Sequence, residues 1–166
     1  KLKVKWILGG ECGHMWRVWH QYHNTWFGPI DFLEEPVSPI TGTKFEHAKS
    51  NKTVHISEFT TDLIKHGVLK FDKSRNDNLI VTFHDSCNPS RAMGILEEPR
   101  YIIKNVCNHF YEMPDETIRE KTFCCGGGAG LNAGEIMELR MRGGFPRANA
   151  VRYVHEKFGV NMLACI

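Results

Sequence analysis

The sequence predicts an α/β fold: a layered, Rossmann-like domain with a largely parallel sheet and cysteines at the carboxyl ends of its strands. Three observations lead there. Strand and helix signals alternate along the chain, the pattern of strands joined by crossover helices. The segment NLIVTF, 78–83, is a continuous apolar run, which suits a strand buried on both faces of a parallel sheet. Cysteines recur just beyond such strands, where the reactive loops of open α/β sheets collect.

Taken in order, Lys3 to Leu8 reads as a strand ending at Gly9-Gly10, and Glu11 to His23 has helical composition. Residues 27–43 carry three of the seven prolines and read as an irregular surface excursion. Val54 to Ile56 is a short strand, after which Ser57 is placed to cap a helix running to Gly67. NLIVTF comes next, then a loop with Asp85, Cys87 and Pro89, then a helix opened by Pro99. Thr122-Phe123 leads into Cys124-Cys125 and a glycine cluster. Glu135 to Arg142 reads as a helix closed by Gly143-Gly144, and Pro146 to Phe158 as another closed by Gly159. Val160 to Ala164 is a last strand.

Composition narrows the function classes. The 166 residues, 42% hydrophobic and 24% charged, are those of a folded domain with a core. A formal charge of +2 with no Lys/Arg run argues against nucleic acid as a partner. No apolar run approaches the roughly 20 residues that span a bilayer. Six cysteines fall short of a secreted disulfide scaffold, so a reducing, cytoplasmic setting is expected. The chain starts without Met and stops at Ala164-Cys165-Ile166, inside what reads as a buried strand. Residues 1–166 are therefore expected to be a fragment cut at both ends.

Five cysteines carry the chemistry. Cys12, Cys87, Cys124, Cys125 and Cys165 all fall beyond expected strand ends, and several thiolates sharing one edge suit an iron–sulfur cluster or zinc. Two consecutive cysteines in a strand point to opposite faces, so both reach one centre only where the backbone bends. Gly126, Gly127 and Gly128 permit that bend and bring main-chain N–H groups close to sulfur. The glycine run lacks the Lys-Ser/Thr of a phosphate-binding loop. Cys107 lies in the apolar run YIIKNVC and reads as core. His84 and His14 each adjoin a candidate cysteine and are either proton donors to a leaving thiolate or backbone-bonded loop residues. Glu11 and Arg17 could shape an entrance near Cys12, and Trp16, Trp19 and Trp26 form either a docking face or a core helix.

The segments HDSCNPSR (84–91), EEPRYIIKNV (97–106) and FCCGGGAG (123–130) resemble the cysteine-rich "CCG" domain of heterodisulfide reductases and related electron-transfer subunits. With 36 residues between Cys87 and Cys124 and 39 between Cys125 and Cys165, both gaps match that pattern, whose closing pair is represented by Cys165. The stretches GGECGHMWRVWHQY, ISEFTTDLIKHG, MPDETIREKTFCC and EIMELRMRGGFPRANA extend the resemblance. They are similar to the heterodisulfide-reductase-like iron–sulfur subunit of the dissimilatory sulfite reductase-associated membrane complex. That resemblance implies a non-cubane [4Fe–4S] cluster on Cys87, Cys124, Cys125 and Cys165, and implies Cys12 as the tail of an earlier motif, as ligand, free thiol or substrate contact. It also implies reduction of a disulfide or trisulfide on a small sulfur-carrier protein with redox-active cysteines. Electrons would come from a membrane quinol-oxidising haem subunit at the cytoplasmic face. Two other readings stay open: an electron relay in a hydroxy-acid oxidase-like complex, and a structural zinc module, although the chain has no Cys-x₂₋₄-Cys knuckle.

Overall fold

A computed structural model of the chain describes residues 3–10, 12–28, 33–49, 51–127 and 134–166. Every strand pair in it is parallel. Strand β1 (Ile7–Gly9) pairs with β2 (Thr53–His55), placing Gly9 opposite His55. A second sheet has the order β4-β3-β5, with β3 (Ile80–His84) central between β4 (His109–Phe110) and β5 (Met162–Cys165). Its register sets His84 opposite Cys165. The α/β expectation holds, but among the described residues the strands form two small sheets. Helices bridge them: α1 (Gly13–Phe27) packs on the segment after β3, and α2 (Ile56–Lys65) on α3 (Glu97–Val106).

The period-2 alternation of β3 builds three layers around it. Val81 and Phe83 face α3 and cluster with Ile103 and Cys107. Ile80 packs on the other side against Ala150 and Val154 of α4 (Met137–Phe158), with Met113, Ile118 and Val160 completing that cluster. By the same alternation His84 belongs to the α4 face. Cys107 is core, as expected, and burial pushes its thiol up.

Several elements depart from expectation for identifiable reasons. The cap of α2 is His55, whose Nδ1 accepts from Ser57 N–H at 3.2 Å while Glu58 accepts from His55 N–H at 2.8 Å, a reciprocal capping box. The segment after β3 is a wide π-helical turn, Cys87–Ala92, rather than an open loop. Thr122-Phe123 continues a short 3₁₀ turn, Arg119–Lys121, and is not a strand. Strand β5 lies at a sheet edge with Met162 and Leu163 exposed, so it is not buried. The largest departure is α4, one 22-residue helix running through Gly143-Gly144 and Pro146. The helix does not stop at the glycine pair, and Gly144 makes a contact there: a Cβ on it would lie 3.2 Å from the Cys125 carbonyl oxygen. Gly159, at φ 73°, does end the helix in the left-handed conformation. Trp16 is core and Trp26 is exposed. No helix among the described residues is long and apolar enough to cross a membrane.

Candidate metal centre

Strand β3 ends in His84, and the chain immediately after it supplies both an anchor and a cysteine. The anchor is Asp85, fully buried and held by two bonds from Arg100 at 2.7 and 2.6 Å and by the Arg119 N–H at 2.8 Å. These donors hold its carboxyl below the ordinary carboxylate range against the opposing effect of burial. Arg100 is shared with Glu112 at 2.6 Å. Asp85 also fastens the second cysteine segment, because its carbonyl accepts from the Thr122 hydroxyl at 2.6 Å. Arg91, in the turn that begins at Cys87, donates to the carbonyls of Thr122 and Glu120. The Cys87 turn and the Cys124-Cys125 loop are thus stitched together at the carboxyl end of β3.

Within the loop each sulfur accepts a backbone N–H from two residues on: Gly126 to Cys124 and Gly127 to Cys125, both at 3.3 Å. Gly126 reverses the chain at φ 79°, and a Cβ there would meet the Arg140 carbonyl at 2.7 Å, so only glycine fits. Arg140 of α4 closes the other side, donating to the Gly126 and Gly127 carbonyls at 3.2 and 2.7 Å. Gly128 and Glu11 lie outside the described residues.

The remaining cysteines approach the same end. Cys12 caps α1, its sulfur accepting the Met15 N–H at 3.5 Å. A Cβ on the neighbouring Gly13 would stand 3.1 Å from Pro89, so the start of α1 rests on the Cys87 turn. Arg17 donates to Asn88 at 3.4 Å, and Asn88 reaches the Cys87 sulfur at 3.7 Å. Cys165 shares a cavity of about 600 Å³ with Gly10 and Met15. All five of these cysteines are exposed and none is in a disulfide.

The structure thus gathers the cysteine-bearing segments without assembling a finished metal site: among the described residues no three His, Cys, Asp or Glu side chains are close enough to hold a metal ion. The chemistry of the donor set does fit an iron–sulfur group. It consists of accessible soft thiols, with N–H donors already directed at Cys12, Cys124 and Cys125 and the Asn88 amide at Cys87.

On the α4 side of β3 a cavity of about 490 Å³ is lined by His84, Cys125, Arg147, Arg152 and His155. Burial lowers His84 to about 4, the charge of Arg147 acting in the same direction and Asp85 opposing, so its ring is neutral at neutral pH. His14 is exposed. Arg147 lies within the stretch EIMELRMRGGFPRANA but carries no role in the sequence reading, yet a signal is there: Arg147, Ala150 and Val154 are spaced as one buried helix face.

Comparisons with known proteins give the family of the cysteine-bearing segments. Residues 81–156 match the family described as Cysteine-rich domain, CCG. The chain is 48% identical to the Hdr-like menaquinol oxidoreductase iron-sulfur subunit 2 of Archaeoglobus fulgidus, with 98% of this chain and 32% of the relative aligned. An Hdr-like menaquinol oxidoreductase iron-sulfur subunit of Archaeoglobus profundus matches with the same identity and coverage. A dihydromethanophenazine:CoB–CoM heterodisulfide reductase polypeptide of Methanosarcina mazei is 39% identical over half of this chain and 20% of its own length. The chain spans about a third of the length of the first two relatives. No solved structure matches it. The chain therefore carries a cysteine-rich CCG domain over residues 81–156 and is a relative of Hdr-like iron–sulfur oxidoreductase subunits.

Proposed function

We propose that the chain is the cysteine-rich part of an iron–sulfur oxidoreductase that reduces a disulfide or trisulfide on a small sulfur-carrier protein in sulfite or sulfate respiration. The observation that carries this is the stitched pair of segments after β3. Cys124 and Cys125 sit in consecutive N–H cradles, tied through Thr122 to Asp85 and through Arg91 to the Cys87 turn. Cys87, Cys124, Cys125 and Cys165 would hold a non-cubane [4Fe–4S] cluster, with Gly126, Gly127 and Gly128 bringing main-chain N–H groups to it. Such a group, when bound, supplies electrons singly and offers iron to a thiolate sulfur.

The chain's own residues do the rest. The Asp85–Arg100–Glu112 network fixes the loop bases, so the thiols keep their relative placement. Cys12, exposed at the start of α1 above the Cys87 turn, is available to the substrate or as a further ligand. His84, a neutral imidazole lining the cavity at Cys125, would give an N–H hydrogen bond to a departing thiolate, whose proton would come from solvent. Exposed Met137, Met141 and Phe145 flank Cys125 along α4 and provide an apolar seat for a carrier protein. A haem-bearing, quinol-oxidising membrane subunit at the cytoplasmic face would deliver electrons, in keeping with the menaquinol named for the Archaeoglobus relatives.

Anaerobic purification with iron, sulfide and zinc analysis and an EPR spectrum tests this. Iron with acid-labile sulfide, and an EPR signal altered by a disulfide-bearing carrier protein, is the expected result. Stoichiometric zinc without iron would overturn it.

A further inference from the structure

The cavity beside Cys125 contains charge that the fold does not answer. Arg147 is 4% exposed, yet its guanidinium bonds only neutral acceptors: Met113 Sδ at 3.0 Å, the Thr117 carbonyl at 2.6 Å and the Thr122 hydroxyl at 2.6 Å. Its Nε has no partner, and among the described residues no carboxylate lies within ion-pair distance of it. Burial disfavours the Arg147 charge, and Asp85 and Cys125 oppose that only through space, the Asp85 carboxylate itself being bonded by Arg100 and the Arg119 N–H. His84, 7% exposed, lines the same cavity and leaves Nδ1 unpaired. Arg152 and His155 add two more basic side chains, Arg152 being 3.9 Å from Glu156 and His155 Nδ1 2.7 Å from the Val160 carbonyl. Among the described residues no Asp or Glu lines the cavity, and Val151 and Leu163 give it an apolar wall. A buried cation without an internal partner is costly, and a bound anion removes that cost. A cysteine on the rim and an apolar wall suit an anion whose charge sits on soft, weakly hydrated sulfur.

We propose that this cavity binds a small sulfur-terminated anion (a thiolate, hydropersulfide or thiosulfonate end of the substrate), with Arg147 as the side chain that selects its charge. The sulfur identity rests on the proposed redox function, whereas the selection of an anion rests on the cavity alone. Volume is sufficient: about 490 Å³ accepts a side-chain-sized fragment and excludes a folded domain. Only the reacting end of a carrier protein would enter, the remainder staying on the surface.

Calorimetric titration of the anaerobically purified protein with thiosulfate, and separately with sulfate, tests the proposal. Saturable thiosulfate binding, with sulfate at least tenfold weaker, is expected. Arg147→Gln should weaken thiosulfate at least tenfold, while Arg147→Lys, which keeps the charge but not the fork, stays within about threefold. A purely structural role for Arg147 would make Lys and Gln equally poor, and that outcome overturns the proposal. So does a folded wild-type protein with no saturable binding, or one that takes sulfate as readily as thiosulfate. Where Arg147→Gln fails to fold, Arg152→Gln reads the same cavity from an exposed position. A threefold or greater loss supports the assignment, and unchanged affinity contradicts it. Iron content of the same samples separates the two readings: iron-free protein with Arg147-dependent binding keeps the cavity and sinks the cluster, and iron-loaded protein without such binding does the reverse.

Discussion

Arg100 and Arg147 are both buried within the layers around β3, and they differ in what answers their charge. Arg100 meets Asp85 with two bonds and Glu112 with two more, so its positive charge is neutralised inside the fold. Arg147 meets a thioether, a carbonyl and a hydroxyl, and its Nε–H has no partner. The first arrangement is a structural clasp that joins the Asp85 segment to α3. The second leaves a charge to be matched by a molecule from outside. A buried charge is informative about function in proportion to what the fold leaves unpaired.

The largest expected effect breaks the clasp. Arg100→Met strands the Asp85 carboxylate at full burial and should cost about 3–5 kcal/mol, read as a lowered denaturation midpoint. Arg147→Met strands no carboxylate and should cost about 1–3 kcal/mol, the loss of three neutral bonds. Equal losses would erase the distinction between the two arginines.

Gly126→Ala comes next, because it puts a Cβ at a φ of 79° and 2.7 Å from the Arg140 carbonyl. The left-handed backbone alone costs about 1–2 kcal/mol, and the N–H cradles at Cys124 and Cys125 should open with it. Gly127→Ala, whose Cβ would be 3.1 Å from the Cys125 sulfur, should leave stability within about 0.5 kcal/mol.

Acid gives a graded test. His84 and His20 are each lowered to about 4 by burial, so between pH 6.5 and 4 the unfolded chain binds more protons than the folded one. Their contribution to stability is intact above pH 6.5 and is lost as pH falls toward 4. His47, raised by Glu58, acts in the opposite sense and loses its contribution as pH rises. His84→Asn should therefore flatten the acid slope of the melting temperature relative to wild type. An unchanged slope would show that His84 is not buried as a neutral ring. The smallest effect belongs to the exposed Arg142–Glu138 pair, where Arg142→Ala should cost about 0.3–0.5 kcal/mol.

Features written as local patterns were legible in the sequence. NLIVTF became β3, Cys107 became core, and the Cys-Cys-Gly run became a turn with left-handed Gly126. What escaped depends on contacts distant in sequence. Gly143-Gly144 has the composition of a helix stop, and only the Cys125 carbonyl lying over Gly144 shows that this second glycine serves packing instead. His55 outcompeted Ser57 as a cap because Glu58 completes its box. Arg147 looks like any helical arginine until β3 and the Thr122 turn are placed against it. At the candidate site, the cysteine-bearing segments were readable, whereas their fastening through Asp85, Arg91 and Thr122 spans 29 to 37 residues and leaves no local signature.

On the proposed reading, the exposed cysteines after β3 serve a metal group while the buried Cys107 serves the core. Iron and acid-labile sulfide, measured on anaerobically purified wild-type, Cys125→Ser and Cys107→Ser proteins, address this division most directly. Iron and sulfide are expected in the wild type, with retention in Cys107→Ser despite some loss of stability, and loss from folded Cys125→Ser. Unchanged iron in Cys125→Ser, or its loss only in Cys107→Ser, would contradict it.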